Sequence, residues 1–143
     1  MDQDVTYGSW DSRCKSLLEL HPCLGALCVC DQSNLVLGSA FTNPEFEGVT
    51  RLNEYTVKPL LLISGSATSG KTSVTFLNDR FLVVDTLKRC FEAKSGNKSL
   101  FLRQTSALYL IGLSVEENDG TKQHLSARHA MDSIQEYFEA ADF

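Results

Sequence analysis

No stretch of this chain is apolar for long enough to cross a bilayer. The longest runs, such as Val57 to Ile63, are broken by Lys58 and Pro59 and fall far short of the roughly 20 residues that a spanning helix needs. The start, Met-Asp-Gln-Asp-Val, lacks the basic residue and continuous apolar stretch of a secretory leader, so a cytosolic protein is expected. No internal repeat, low-complexity tract or Pro/Gly/Ser linker divides the sequence, and its 143 residues suit one domain, 1–143, with one core. An even set of cysteines is also missing. The five present, Cys14, Cys23, Cys28, Cys30 and Cys90, argue against a disulfide framework and for reduced thiols.

Metal and catalytic constellations are equally thin. Cys28 and Cys30 could be imagined with Cys23 and His21 around zinc, but one intervening residue falls below the roughly two to four usual between paired ligands. On a strand these two cysteines share a face and read as small core hydrophobes. No cofactor is expected. His21, His124 and His129 have no nucleophile motif at a recognisable spacing, so surface positions are expected for them and an enzyme is not.

What is present is ordinary for a globular protein: 43% hydrophobic and 22% charged residues, which excludes a disordered or collagen-like chain. The net charge of −5 is unevenly spread. Lys71, Arg80, Lys88, Arg89, Lys94, Lys98 and Arg103 face only Asp79, Asp85 and Glu92 in the same segment. That asymmetry reads either as a surface for an acidic protein or anionic lipid headgroup, or as a solvated outer sheet face.

Ser9 can cap a helix over about 10–20, with Trp10, Cys14, Leu17, Leu18 and His21 at helical spacing and Pro22 as its stop. Leu24 to Cys30 and Leu35 to Leu37 flank the turn cluster Asp31-Gln32-Ser33-Asn34 and predict a hairpin. Thr42-Asn43-Pro44-Glu45 predicts a second, short helix to about Tyr55. Strands are expected at Leu60–Ser64, Ser73–Leu77, Arg80–Asp85, Arg89–Lys94, Ser99–Arg103 and Ala107–Leu113, joined by turns short enough for an antiparallel meander. From Thr121 onward Leu125, Ala127, Met131, Ile134, Phe138 and Ala141 follow helical spacing. The class is α+β: a central antiparallel meander with N- and C-terminal helices.

Gly65-Ser66-Ala67-Thr68-Ser69-Gly70-Lys71-Thr72 spells a phosphate-binding loop. Such a loop needs a helix behind it and parallel strands with crossovers. Thr72 to Phe76 is instead rich in β-branched residues and alternates Val74 with Phe76, with a turn after Leu77, so a strand is expected there and nucleotide hydrolysis is not.

A tryptophan-bearing N-terminal helix, a small-residue strand, a meander with a glycine-rich turn and a C-terminal helix ending in Glu136-Tyr137-Phe138 together resemble profilin, the actin-monomer-binding family. Gly65 to Gly70 is similar to the family's Gly-x-x-x-Gly-Gly segment, with Ser69 in place of one glycine. Leu102-Arg103-Gln104-Thr105, followed by Ala107-Leu108 and Gly112, is similar to its apolar-basic-basic-Thr turn and next strand. The resemblance implies a profilin-like fold with both terminal helices on one face of the sheet. It implies a cytoplasmic, cytoskeletal monomer that binds monomeric actin and controls its assembly, with no nucleic-acid partner.

On that resemblance the actin face takes Lys71, Lys94, Arg128, His129 and Asp132. The groove for proline-rich partners takes Trp10, Tyr137 and Phe143. Proline-rich ligands dock on stacked rings, and the family's tyrosine one turn after the tryptophan is Arg13 here, while its strand-two tryptophan is Val36. The groove is therefore expected to be weakened, and Trp10 and Tyr137 are equally explained by mutual packing of the terminal helices. Phosphoinositide headgroups are a further partner that the resemblance implies. The competing reading is a longin- or roadblock-like scaffold domain of a trafficking complex, which also joins a five-stranded meander to flanking helices.

Overall fold

The hairpin signals are the most local and are met first. In the computed structural model, which describes residues 8–63, 67–68, 70–87, 90–116 and 120–143 (without the side chains of 8, 9, 87 and 120–123), β1 (Ala26–Asp31) pairs antiparallel with β2 (Val36–Phe41). Asp31 holds their turn by accepting the Ser33 and Leu35 amides on its Oδ1 at 2.8 and 3.0 Å. Before the hairpin lies α1 (Gly8–Leu20), which stops before Pro22 and starts two residues earlier than expected.

After the hairpin, Asn43 accepts the Glu45 amide at 2.9 Å and starts a 3₁₀ segment, Pro44–Arg51. A separate helix, α2 (Glu54–Ile63), follows. This overturns two expectations: the helix to about Tyr55 is two elements, and Leu60–Ile63 is helical rather than a strand. Ser64, the end of that expected strand, lies outside the described residues. The physical reason is a cap. Asn53 Oδ1 accepts the Tyr55 and Thr56 amides, and Thr56 Oγ1 accepts the Asn53 amide in return, a reciprocal arrangement that nucleates a helix. Val57, Leu60 and Leu61 then share the buried face, and that burial outweighs the breaking tendency of Pro59 inside the helix.

The remaining strands run as a meander: β3 (Ser73–Phe76), β4 (Asp79–Leu87), β5 (Cys90–Ser95), β6 (Lys98–Gln104) and β7 (Leu108–Val115). The sheet has the order β2-β1-β7-β6-β5-β4-β3 and every pairing is antiparallel. Helix α3 (Gly120–Ala140) completes the described chain.

Each sheet face buries a different apolar set. On one face Ala26, Cys28, Cys30, Val74, Phe76, Phe81, Val83, Phe91, Ala93, Leu100, Leu102, Ile111 and Leu113 pack under the 3₁₀ segment and α2. On the other, Leu27, Val29, Phe101, Leu108 and Leu110 pack under Cys14, Leu17 and Leu18 of α1 and Ala127, Ala130, Met131, Ile134 and Phe138 of α3. The two sets are unequal in reach. The second contains no residue of β3, β4 or β5, so the terminal helices cover β2, β1, β7 and β6 and leave the outer face of β3–β5 beside α3.

Candidate functional site

The uncovered face is read off strand alternation. Phe81 and Val83 point into the core under α2, so Leu82 and Val84 point the other way and are 44% and 40% exposed. Leu82 pairs with Lys94, and Glu92 pairs with Phe101, which faces α3. Glu92 and Lys94 thus stand on the α3 side of β5.

Glu92 is 5% exposed and is held by three side chains. Arg128 on α3 donates from Nε to Oε2 at 2.9 Å and from Nη2 to Oε1 at 2.8 Å. Arg103 on β6 donates from Nη2 at 3.0 Å, and His124 on α3 from Nε2 at 3.1 Å. The carboxylate only accepts, so Nε2 carries a proton, and the Ser99 hydroxyl serves Nδ1 at 2.9 Å. Burial pushes the Glu92 carboxyl up, but hydrogen bonds from Arg128, Arg103 and His124 outweigh it and hold the group below its usual range. The same carboxylate raises Arg128. Strands β5 and β6 and helix α3 are tied together at one carboxylate.

Beside this cluster a cleft of about 860 Å³ opens along the flank of α3, lined among others by Asp85, Glu92, Arg103, Arg128, Asp132 and Gln135. Asp132 lies 3.4 Å from Arg103 Nε, and Gln135 donates to the Gln104 carbonyl at 2.8 Å.

Of the residues expected on an actin face, Arg128, His129 and Asp132 lie within five residues on α3, and Lys94 lies on the sheet face next to them. His129 and Asp132 are exposed. Lys94 pairs with Glu116 at 2.8 Å. Lys71 stands apart: it is exposed in the turn before β3, the outer edge strand. The basic segment is largely neutralised within the fold, because Lys98 also pairs with Asp79 at 2.7 Å and Arg103 with Glu92. Lys88 and Arg89 lie outside the described residues.

His124 corrects an expectation. It is 8% exposed, wedged between Glu92 and Ser99 and tilted over Phe101 with ring centroids 5.1 Å apart; His129 is exposed as expected. Cys28 and Cys30 pack in the core as expected, with their Sγ atoms 3.9 Å apart, and Cys14 and Cys90 are buried as well. Burial pushes the Cys14 thiol up to about 12.

The segment resembling a phosphate loop lies between a helix and a strand, the reverse of the strand and helix that such a loop joins; the leading strand expected before it is absent because α2 occupies that place. Residues 64–66 and 69 lie outside the described residues. Gly70 has φ +79° and donates its amide to the Val83 carbonyl at 2.7 Å, a backbone conformation that favours glycine.

At the other end of the molecule the rings expected in a proline groove come together. Trp10 stacks on Phe138 with centroids 6.1 Å apart and meets Phe143 edge-on at 5.2 Å, while Tyr137 meets Phe138 edge-on at 5.0 Å. Phe143 is held in place: its amide donates to the Phe138 carbonyl and its own carbonyl accepts from Thr105 Oγ1 at 2.8 Å and from the Ala107 amide at 2.5 Å. Trp10 on α1 thus packs on Phe138 of α3 and on Phe143, in keeping with the mutual packing of the terminal helices that the sequence also allowed. The Arg13 guanidinium lies 5.1 Å from the Trp10 centroid and 5.9 Å from that of Phe143. Val36 is not part of this surface: it packs with the α2 layer, and Leu37 and Ala40 are the β2 residues that pack with the α1 and α3 layer. A bulge between Val29 and Cys30 shifts the register there, which a count along the sequence does not reveal.

No family model and no curated protein matches the chain. Solved structures do. Profilin IA of Acanthamoeba castellanii superposes with a TM-score of 0.72 at 12% identity, over 94% of this chain and 99% of that one. A LokiProfilin2 solved in complex with rabbit actin superposes at 0.60 and 8% identity, over 85% and 92%. Myxococcus xanthus MglB reaches 0.50 at 13% identity, over 92% and 96%. The chain has a divergent profilin-like fold.

Proposed function

We propose that this protein binds monomeric actin through the outer face of β3–β5 and the adjoining flank of α3, and thereby regulates filament assembly. The observation that carries the reading is the half-covered sheet: Leu82 and Val84 are exposed in a field of polar and charged side chains, the composition of a docking patch with an apolar centre and polar rim. Lys94, Arg128, His129 and Asp132 form its α3 side. The profilin-like neighbours include one solved with rabbit actin, which makes actin the partner of choice. Lys71 lies at the far edge and adds charge there. A protein that occupies one end of an actin monomer blocks addition at one filament end and lowers free monomer by mass action.

The ring cluster at Trp10, Tyr137 and Phe143 is proposed as a second face, for proline-rich segments, whose preformed extended helix suits flat aromatic surfaces. Within the basic segment Lys71 and Arg80 are proposed to meet phosphoinositide headgroups, because Lys94, Lys98 and Arg103 already hold acids of the same fold.

The test is to add the purified protein to polymerising actin and follow filament elongation. Slowed elongation at concentrations of about 10–50 μM, a binding free energy of ~6–7 kcal/mol, is expected. Unchanged elongation over that range overturns the reading. The likeness to MglB favours a second reading, a roadblock-like scaffold; it gains if the protein elutes as a dimer on size exclusion and leaves actin untouched.

A further inference from the structure

Helices α1 and α3 run antiparallel across the sheet: Trp10, near the start of α1, meets Phe138 near the end of α3, and Cys23, just beyond α1, donates its thiol to the Ser126 carbonyl near the start of α3. Between them lies a strip whose two borders follow from helical periodicity. On α1 the stripe is Trp10, Arg13 and Leu20, with Leu17 buried beneath, and Leu20 is 72% exposed. On α3 it is Ser133 and Tyr137, with Tyr137 44% exposed. The charges of α3 are elsewhere. Arg128, Asp132 and Glu139 line the cleft on the opposite flank, and Glu136, one helical step from Tyr137, turns to solvent.

Arg13 is therefore the charge that contacts the rings. It lies over Trp10 and Phe143, and among the described residues no carboxylate and no hydrogen-bond acceptor pairs with it. A guanidinium packed on aromatic faces keeps its rim of N–H donors available, and those donors match a carboxylate in two-pronged geometry. Rings supply an apolar platform for an extended chain; an unpaired cation on that platform supplies a preference among such chains.

We propose that the strip between α1 and α3 binds an extended proline-rich segment that carries a carboxylate, and that Arg13 reads this carboxylate while Trp10, Tyr137 and Phe143 hold the prolines. This rests on the proline-segment reading above and adds its selectivity. The substitution of Arg13 for an aromatic ring, which weakens a purely apolar groove, becomes a change of ligand class from neutral to acidic.

Trp10 is the single tryptophan, so its fluorescence reports the strip alone. Helix α1 is 13 residues long, about 20 Å, which an extended proline helix spans in roughly six or seven residues. Two peptides of about eight residues are compared, all proline and the same with two internal aspartates. The acidic peptide is expected to shift the Trp10 signal with a Kd at least about tenfold lower, and the advantage is expected to vanish in Arg13→Gln and shrink at about 1 M salt. Equal binding of the two peptides, or a preference that survives Arg13→Gln, overturns the assignment to Arg13 and leaves the proline reading standing. If neither peptide binds the wild type, the proposal falls, and Arg13→Tyr then decides the rest: binding of the all-proline peptide to that variant keeps the rings as a proline platform, and no binding removes it. Thermal unfolding of each variant establishes that it is folded.

Discussion

Replacing Glu92 by glutamine preserves its shape and removes the charge that Arg103, Arg128 and His124 share. Breaking a buried charge set by deleting one partner costs about 3–5 kcal/mol when the remaining charges stay buried. Here the Arg128 side chain is 36% exposed, so water takes up part of the loss and about 2–4 kcal/mol is expected, measured by urea unfolding. The pH dependence has a definite sign. The folded Glu92 carboxyl lies below its unfolded value of 4.5, so its contribution is fully present above that value and is lost as pH falls through the lower folded one, where the unfolded state binds the extra proton first. Glu92→Gln should therefore flatten the fall in stability below about pH 4.5 relative to wild type. Little of this cluster was legible in the sequence. Glu92 alternates with Phe91 and Ala93, so a strand with a polar outer face was evident, but the arginines that bury it come from positions 103 and 128. His124 looked like a surface histidine because its partners, Glu92 and Ser99, are 32 and 25 residues away in sequence.

The elements divide by how local their signals are. The hairpin β1–β2, the meander β3–β7 and α3 were readable from alternation, turns and helical spacing within single windows. Helix α2 was not, although its cap Asn53, Thr56 and its apolar positions Val57, Leu60 and Leu61 are all present. Pro59 and the unbroken run Leu60–Ile63 mimic a strand preceded by a breaker, and the tertiary contacts that favour the helix cannot be seen in the segment itself. Pro59 is exposed and sits where a helix needs an amide to bond the Tyr55 carbonyl. Pro59→Ala restores that donor and should raise stability by about 1–3 kcal/mol in a urea titration; a loss would show that the proline fits a local distortion. The opposite is expected of Gly38→Ala on β2. A Cβ there would lie 2.6 Å from Trp10 Cβ and 2.7 Å from its carbonyl carbon, so the α1 backbone must move, at about 1–3 kcal/mol. The same shift disturbs the ring cluster, and Trp10 fluorescence should change with it.

At the scale of the molecule, the proposed actin binding rests on which part of the sheet the helices leave bare. Sheet order places β3, β4 and β5 together at one side, and α1 and α3 cover the other. This asymmetry arises from long-range packing, so a window of sequence gave the strands while the open face they form awaited the full topology. Leu82 tests that face without touching the core. It is 44% exposed and outside both apolar clusters, so Leu82→Asp should alter stability by no more than about 0.5 kcal/mol. An aspartate in the centre of a docking patch leaves a charge desolvated on binding, and inhibition of actin elongation should weaken at least about tenfold, ~1.4 kcal/mol. The same variant separates the two readings of the fold. If wild type is a dimer on size exclusion and Leu82→Asp makes it a monomer, the open face joins two copies of this chain and the roadblock-like reading gains. If both are monomers and only the effect on actin changes, the bare half of the sheet is where a different protein binds.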